Sequence, residues 1–241
     1  MEIYPAIDVL DGRVVRLLRG NYTGPTFYNN DPVAVARSFA EAGARWIHLV
    51  DLGAVKVDAN PNLGVMEQIR QAVSIQIQTG GGIRSVEAAS ARFAAGASRI
   101  VLGTIAVENP RLADEILSMF PGQVAIGLDA RGRDLATHGW KSSSGVDLIT
   151  TARYFDRPEV SALIVTEIER DGTLTGPSIE QLRSVLTEVS VPIIASGGVA
   201  SIEDIRALSH LEANGRKLAG VIVGRALYEH KFTLQDALAV S

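Results

Sequence analysis

The feature that most restricts this chain is that it repeats itself at nearly constant offsets, and an internal repeat constrains architecture more tightly than local propensity does. Asp8-Val-Leu-Asp-Gly12-Arg13 resembles Asp129-Ala-Arg-Gly132-Arg133, with the leading aspartates 121 residues apart. Asn60-Pro61-Asn62 parallels Gly176-Pro177-Ser178, and Gly81-Gly82-Ile83 parallels Gly197-Gly198-Val199, both at an offset of 116. Ile-Val-Leu-Gly103-Thr104 then matches Val-Ile-Val-Gly224-Arg225 at 121 again. The first loop is thus five residues longer than its counterpart, and the segment Glu212 to Lys217, which reads as part of a helix, restores the difference.

Around these motifs, short apolar runs rich in β-branched residues alternate with longer segments of helical period, the pattern of βα units and a parallel sheet. Eight runs can be marked: Ile3 to Asp8, Trp46 to Asp51, Ile75 to Thr79, Arg99 to Leu102, Val124 to Asp129, Ala162 to Thr166, Val191 to Ser196 and Gly220 to Gly224. They are continuously apolar, as strands are when helices cover one side and packed side chains fill the other. Asp31-Pro32 and Asn109-Pro110 open two helices with a capping side chain and a proline in the first helical position, and Gly43 closes the first of them. Four units followed by four matching units predict a (β/α)8 TIM barrel of the α/β class. It is expected to form one domain over 1–241, with half-barrels of about 1–121 and 122–241.

In such a barrel the chemistry gathers at the strand C-termini and the loops beyond them. The runs end in Asp8, Asp51, Asp129 and Thr166 at those places. The first and fifth strands lie opposite each other, so Asp8 and Asp129 are expected to face across the mouth as proton acceptor and proton donor. Helix capping or pairing with an arginine is the competing reading for either one alone. The glycines form a second constellation. Gly81, Gly82 and Gly103-Thr104 follow the third and fourth runs, and Gly197, Gly198 and Gly224-Arg225 follow the seventh and eighth. Glycine lets backbone approach an anion and helix starts offer N–H groups to it, so two phosphate sites on opposite sides of the mouth are expected, against the alternative of tight turns only. Thr166 and the Asp171-Gly172 turn could orient a substrate, and Trp140 could stack on a planar ligand or simply anchor its loop. His48 reads more as a packing residue than a catalytic one.

Composition narrows the function classes. The absence of cysteine rules out thiolate metal sites, cysteine nucleophiles and disulfides, and no His/Asp/Glu spacing suggests a metal site. A formal charge of −4 argues against a nucleic-acid surface. No apolar stretch is long enough for a membrane span and the N-terminus lacks signal-peptide character, so a cytoplasmic protein is expected.

The residues Pro-Ala-Ile-Asp8, Asp-Gly-Arg-Val-Val-Arg16, His-Leu-Val-Asp51, Gly-Gly-Gly-Ile-Arg84, Leu-Asp129-Ala-Arg, Gly139-Trp140, Asp-Gly-Thr-Leu174, Ser-Gly-Gly198 and Ile-Val-Gly-Arg-Ala226 together resemble the ProFAR isomerases of histidine biosynthesis over the whole chain. The resemblance implies an Amadori rearrangement of an aminoaldose to an aminoketose by a monomeric enzyme without metal or cofactor. Asp129 would be the acid that opens the ribose ring, Asp8 the base at carbon 2, and Thr166 a helper at the sugar. Arg19, Trp140, Gly172 and the two glycine sites would hold a bisphosphate substrate. Two relatives share much of this pattern. The cyclase subunit of imidazole glycerol phosphate synthase usually begins Cys-Leu-Asp-Val and lacks the Gly-Trp pair, unlike this chain. The dual-substrate isomerase that also takes phosphoribosylanthranilate typically has an arginine before Gly-Trp, where this chain has His138. A barrel that binds sugar phosphates without catalysis is the alternative of a different class, and the two carboxylates weigh against it.

Overall fold

The computed structural model describes residues 1–18, 20, 24–56 and 62–241. Eight parallel strands form the central sheet: β1 (Glu2–Leu10), β2 (Trp46–Asp51), β3 (Gln76–Gly80), β4 (Arg99–Leu102), β5 (Val124–Arg131), β6 (Val160–Glu167), β7 (Ile193–Ser196) and β8 (Gly220–Val223). Each pairs in parallel with the next, and β8 pairs back onto β1 from Glu2↔Gly220 to Pro5↔Val223. The sheet closes on itself, so the chain is a (β/α)8 barrel and the ring has no open edge.

Alternation along each strand divides the apolar residues between two cores. On β1, Ile3, Ile7 and Val9 face the large core between sheet and helices, while Tyr4 and Ala6 turn inward against Ala125, Ala162, Ile164 and Ile194. The same alternation turns Asp8 into the barrel. The helices form where the sequence signals them. Asp31 accepts from the N–H groups of Val33 and Ala34 to open the helix Pro32–Glu41, and Asn109 accepts from Leu112 N–H to open Pro110–Met119.

Three segments depart from the sequence reading. β1 and β5 do not stop at Asp8 and Asp129. They run on to Leu10 and Arg131 and turn back as antiparallel hairpins with Arg13–Arg16 and Asp134–Thr137. Glu212 to Lys217 is a two-stranded hairpin rather than part of a helix, with Asn214 and Gly215 at φ 53° and 72°. Asn-Gly tolerates two successive positive φ values, which closes a tight hairpin and ends a helix.

Asp51 belongs to the scaffold rather than the mouth. It is 2% exposed and accepts from Ala54 N–H and Asn62 Nδ2 at 3.0 and 2.6 Å. Arg92, 1% exposed, donates to it at 3.3 Å and to the Gly81 carbonyl at 3.0 Å, tying the helix Val86–Ala94 to the turn after β3. Asp51→Ala would strand a guanidinium in the core. We expect it to lower the unfolding free energy by about 3–5 kcal/mol in urea titrations, and a loss below about 1 kcal/mol would mean the pair has no structural role.

Candidate functional site

A cavity of about 520 Å³ opens at the C-terminal end of the barrel. Its wall includes Asp129, Thr166, Trp140, Asp171 and Arg16, together with the glycines that follow β3, β4, β7 and β8. Of the residues singled out from sequence, Asp8 is not part of the wall and Arg19 lies outside the described residues, as does the Asn60-Pro61 repeat motif.

Asp8 is withdrawn because the hairpin after β1 brings an arginine onto it. Arg16 Nη1 donates to Asp8 Oδ2 at 2.5 Å and Nη2 donates to the Ala6 carbonyl at 3.0 Å, with both side chains 14% exposed. The Arg16 guanidinium also lies 5.3 Å from the centre of the Tyr228 ring. Burial pushes the Asp8 carboxyl above its ordinary value, and Arg16 opposes that rise through its charge and hydrogen bond.

Asp129 has a different partner. The loop beyond its hairpin delivers Trp140, whose indole Nε1 donates to Asp129 Oδ2 at 2.8 Å. Thr166 is its register partner on β6, and its hydroxyl donates to the same carboxylate. Burial raises the Asp129 pKa while these two neutral donors lower it. The two aspartates in equivalent frames therefore differ: one is held by a cation, the other by an indole and a hydroxyl.

A third carboxylate completes the group. Burial pushes Asp171 up to about 7, with Arg16 opposing and the charges of Asp8 and Asp129 adding to the rise. The sequence marks Asp171 only as part of a turn, and Arg16 only as the end of a motif with no role of its own. A charged residue at the end of the apolar Val-Val in Arg13–Arg16 was the one available sign for Arg16. His48, read as packing, lines the cavity, and burial with the Arg16 charge pushes its imidazole down to about 3.

The glycine clusters have local reasons as well as a place in the wall. A Cβ on Gly82 would come within 2.3 Å of the Ala54 carbonyl, and one on Gly198 within 2.3 Å of the Gly176 carbonyl, so these βα turns exclude side chains whatever binds there. Gly81 is crowded in the same way by the Asp51 carbonyl at 2.3 Å, and a Cβ on Gly197 would lie 3.1 Å from the Glu167 carbonyl. Gly103 has nothing within 4 Å of such a Cβ, and it shares its backbone conformation (φ −99°, ψ −102°) with Gly224 (φ −112°, ψ −99°). Each precedes a short helix that begins with Thr104 or Arg225. Thr104 Oγ1 accepts from His138 N–H, tethering the Trp140 loop, and Arg225 donates to the Gly172 carbonyl and to Glu229.

The histidine biosynthesis protein family matches residues 2–233. The chain belongs to that family. It is 47% identical over 238 residues to a protein of Gloeothece citriformis named 1-(5-phosphoribosyl)-5-((5-phosphoribosylamino)methylideneamino)imidazole-4-carboxamide isomerase, covering 99% of this chain and 92% of that one. Proteins of the same name from Gloeobacter violaceus and Dinoroseobacter shibae are 47% and 43% identical, over 99% and 100% of this chain and 92% and 99% of theirs. Among the described residues no helix of this family member is long and apolar enough to cross a membrane.

An aspartate that titrates near 4 when unfolded and near 7 when folded binds an extra proton in the folded state between those values, so its effect on stability becomes steadily less favourable as pH rises through that window. Asp171→Asn removes this penalty. The variant should gain stability relative to the parent between about pH 5 and about pH 8 in chemical denaturation, and an unchanged difference would show that Asp171 does not titrate there.

Proposed function

We propose that this family member isomerises the aminoaldose ProFAR to its aminoketose, the rearrangement named for its relatives. The single observation that carries this reading is the pairing of chemically distinct carboxylates at one barrel mouth, Asp8 on a guanidinium and Asp129 on neutral donors. Burial raises both carboxyls, but the charged guanidinium on Asp8 favours its ionised form, which suits a base, while Asp129 meets only neutral donors, which suits an acid. Asp129 then protonates the ribose ring oxygen, opening the ring to a Schiff base. Asp8 removes the proton from carbon 2, and the resulting enolamine tautomerises to the ketose. The hydrogen and electrons stay within the substrate, so the sequence of steps calls on no outside redox partner.

Asp8 reaches the substrate only past Arg16, and in this reading the substrate draws the guanidinium aside. The glycine turns at Gly81-Gly82 with Gly103-Thr104, and at Gly197-Gly198 with Gly224-Arg225, hold the two terminal phosphates, with Gly172 and Trp140 completing the wall and Arg19 assigned by resemblance alone. Phosphates anchored on both sides place the reacting ribose between the carboxylates, an orientation effect of several kcal/mol at least. A second reading of the acid is favoured by one observation: Asp171, pushed up to about 7, is still partly protonated at neutral pH and faces the same cavity. The enzyme acts in this proposal as a cytoplasmic monomer on a small bisphosphate, without nucleic acid or membrane.

The test supplies purified protein separately with ProFAR, with its ketose plus ammonia, and with phosphoribosylanthranilate. Consumption of ProFAR alone is expected; cyclisation of the ketose would reassign the chain to the cyclase class. Asp8→Asn and Asp129→Asn should each lower kcat by about 10²- to 10⁴-fold while a bisphosphate product still binds. Full turnover in Asp129→Asn with loss in Asp171→Asn would move the acid to Asp171.

A further inference from the structure

Beneath the carboxylates, three polar side chains form one inward layer on neighbouring strands. Arg99 on β4 is the register partner of Gln78 on β3, and Gln78 is the register partner of His48 on β2. His48 in turn pairs with Ala6, two residues before Asp8. It therefore lies one layer below the Asp8 level, at the floor of the cavity it lines.

The hydrogen bonds of this layer are consistent in only one direction. A guanidinium can only donate, and Arg99 Nη1 lies 2.9 Å from Gln78 Oε1. Arg99 is itself held by the Tyr4 hydroxyl at 3.3 Å and by the face of Trp46, 4.6 Å from the ring centre. With its oxygen committed to Arg99, the Gln78 amide presents Nε2, a donor, to His48 Nδ1 at 2.9 Å. Nδ1 must then supply a lone pair, which leaves the ring proton on Nε2. Burial and the nearby Arg16 guanidinium keep the imidazole uncharged at neutral pH.

We propose that Arg99 and Gln78 form a relay that sets the His48 tautomer, and that the His48 Nε2–H donates a hydrogen bond to an oxygen of the bound sugar. The proposal rests on the isomerase reading for the identity of that sugar. A neutral N–H donor suits this floor. It can hold a hydroxyl or a developing carbonyl oxygen, and it carries no surplus proton to deliver to the carboxylates above it. His48 is the residue that touches substrate; Gln78 and Arg99 act through it as positioning residues.

The experiment uses full-length protein with 15N-labelled histidine, the His48 signals being assigned by their loss in His48→Gln. The expected spectrum has a protonated Nε2 and an unprotonated Nδ1, constant from about pH 6 to about pH 8, with Nε2 moving when the aminoketose product is added. Gln78→Glu offers Nδ1 an acceptor and should draw the proton to it, with kcat/KM lowered about 10- to 100-fold. Because a buried carboxylate there could compromise folding, His48→Gln and His48→Leu form the second arm. The amide of the first can stand in for the Nε2–H donor and should retain most activity, while the second should lose about 10- to 100-fold. A proton on Nδ1 in the parent protein, an Nε2 signal indifferent to product, or a His48→Leu enzyme within about twofold of the parent would each overturn the proposal. If the parent protein fails to convert ProFAR, the isomerase reading falls, while the tautomer in the ligand-free spectrum still decides the relay.

Discussion

The open end of this barrel is organised around one guanidinium. Arg16 is bound to Asp8, opposes the rise of the Asp171 pKa, and stands over the Tyr228 ring. Three carboxylates gathered here are harder to ionise together without a cation among them, because both desolvation and mutual repulsion favour their protonated forms. Arg16 relieves that cost unevenly. Asp8 receives the hydrogen bond, Asp171 only the more distant charge, and Asp129 is met by Trp140 and Thr166 instead. The protonation pattern of the site follows from where that single side chain is delivered.

Its delivery depends on the hairpin that β1 makes after Asp8. Register pairing of Asp8 with Val15 and of Leu10 with Arg13 sets the return strand beside β1, and Arg16 follows directly from it. The corresponding extension of β5 carries no arginine to Asp129; its loop supplies Trp140. Two frames that match in sequence thus acquire opposite electrostatic partners through the segments beyond them. Below, hydrogen bonds join Arg99 to Gln78 and Gln78 to His48, of which His48 lines the cavity, and buried polar groups call for such partners.

Much of this was legible in the chain. The eight apolar runs correspond to the eight strands, and the caps at Asp31 and Asn109 work as their residue types suggest. The Glu212 to Lys217 hairpin escaped because a helical reading of the length difference hid an Asn-Gly turn in plain view. Asp51 resembles a site residue in sequence because it ends its apolar run as Asp8 and Asp129 end theirs. Its burial with Arg92 and Asn62, which no local pattern reports, makes it a scaffold residue.

The sequence by itself determined the barrel, the two repeated frames and the family, since period, turn chemistry and motif spacing are local properties written in residue order. Only the tertiary structure decided which carboxylate meets a cation, that Asp171 joins them, and that His48 faces the cavity. Those outcomes depend on distance and desolvation between segments far apart in the chain, such as Arg16 and Asp171 or Arg99 and Tyr4, and closure of the sheet is what brings them together.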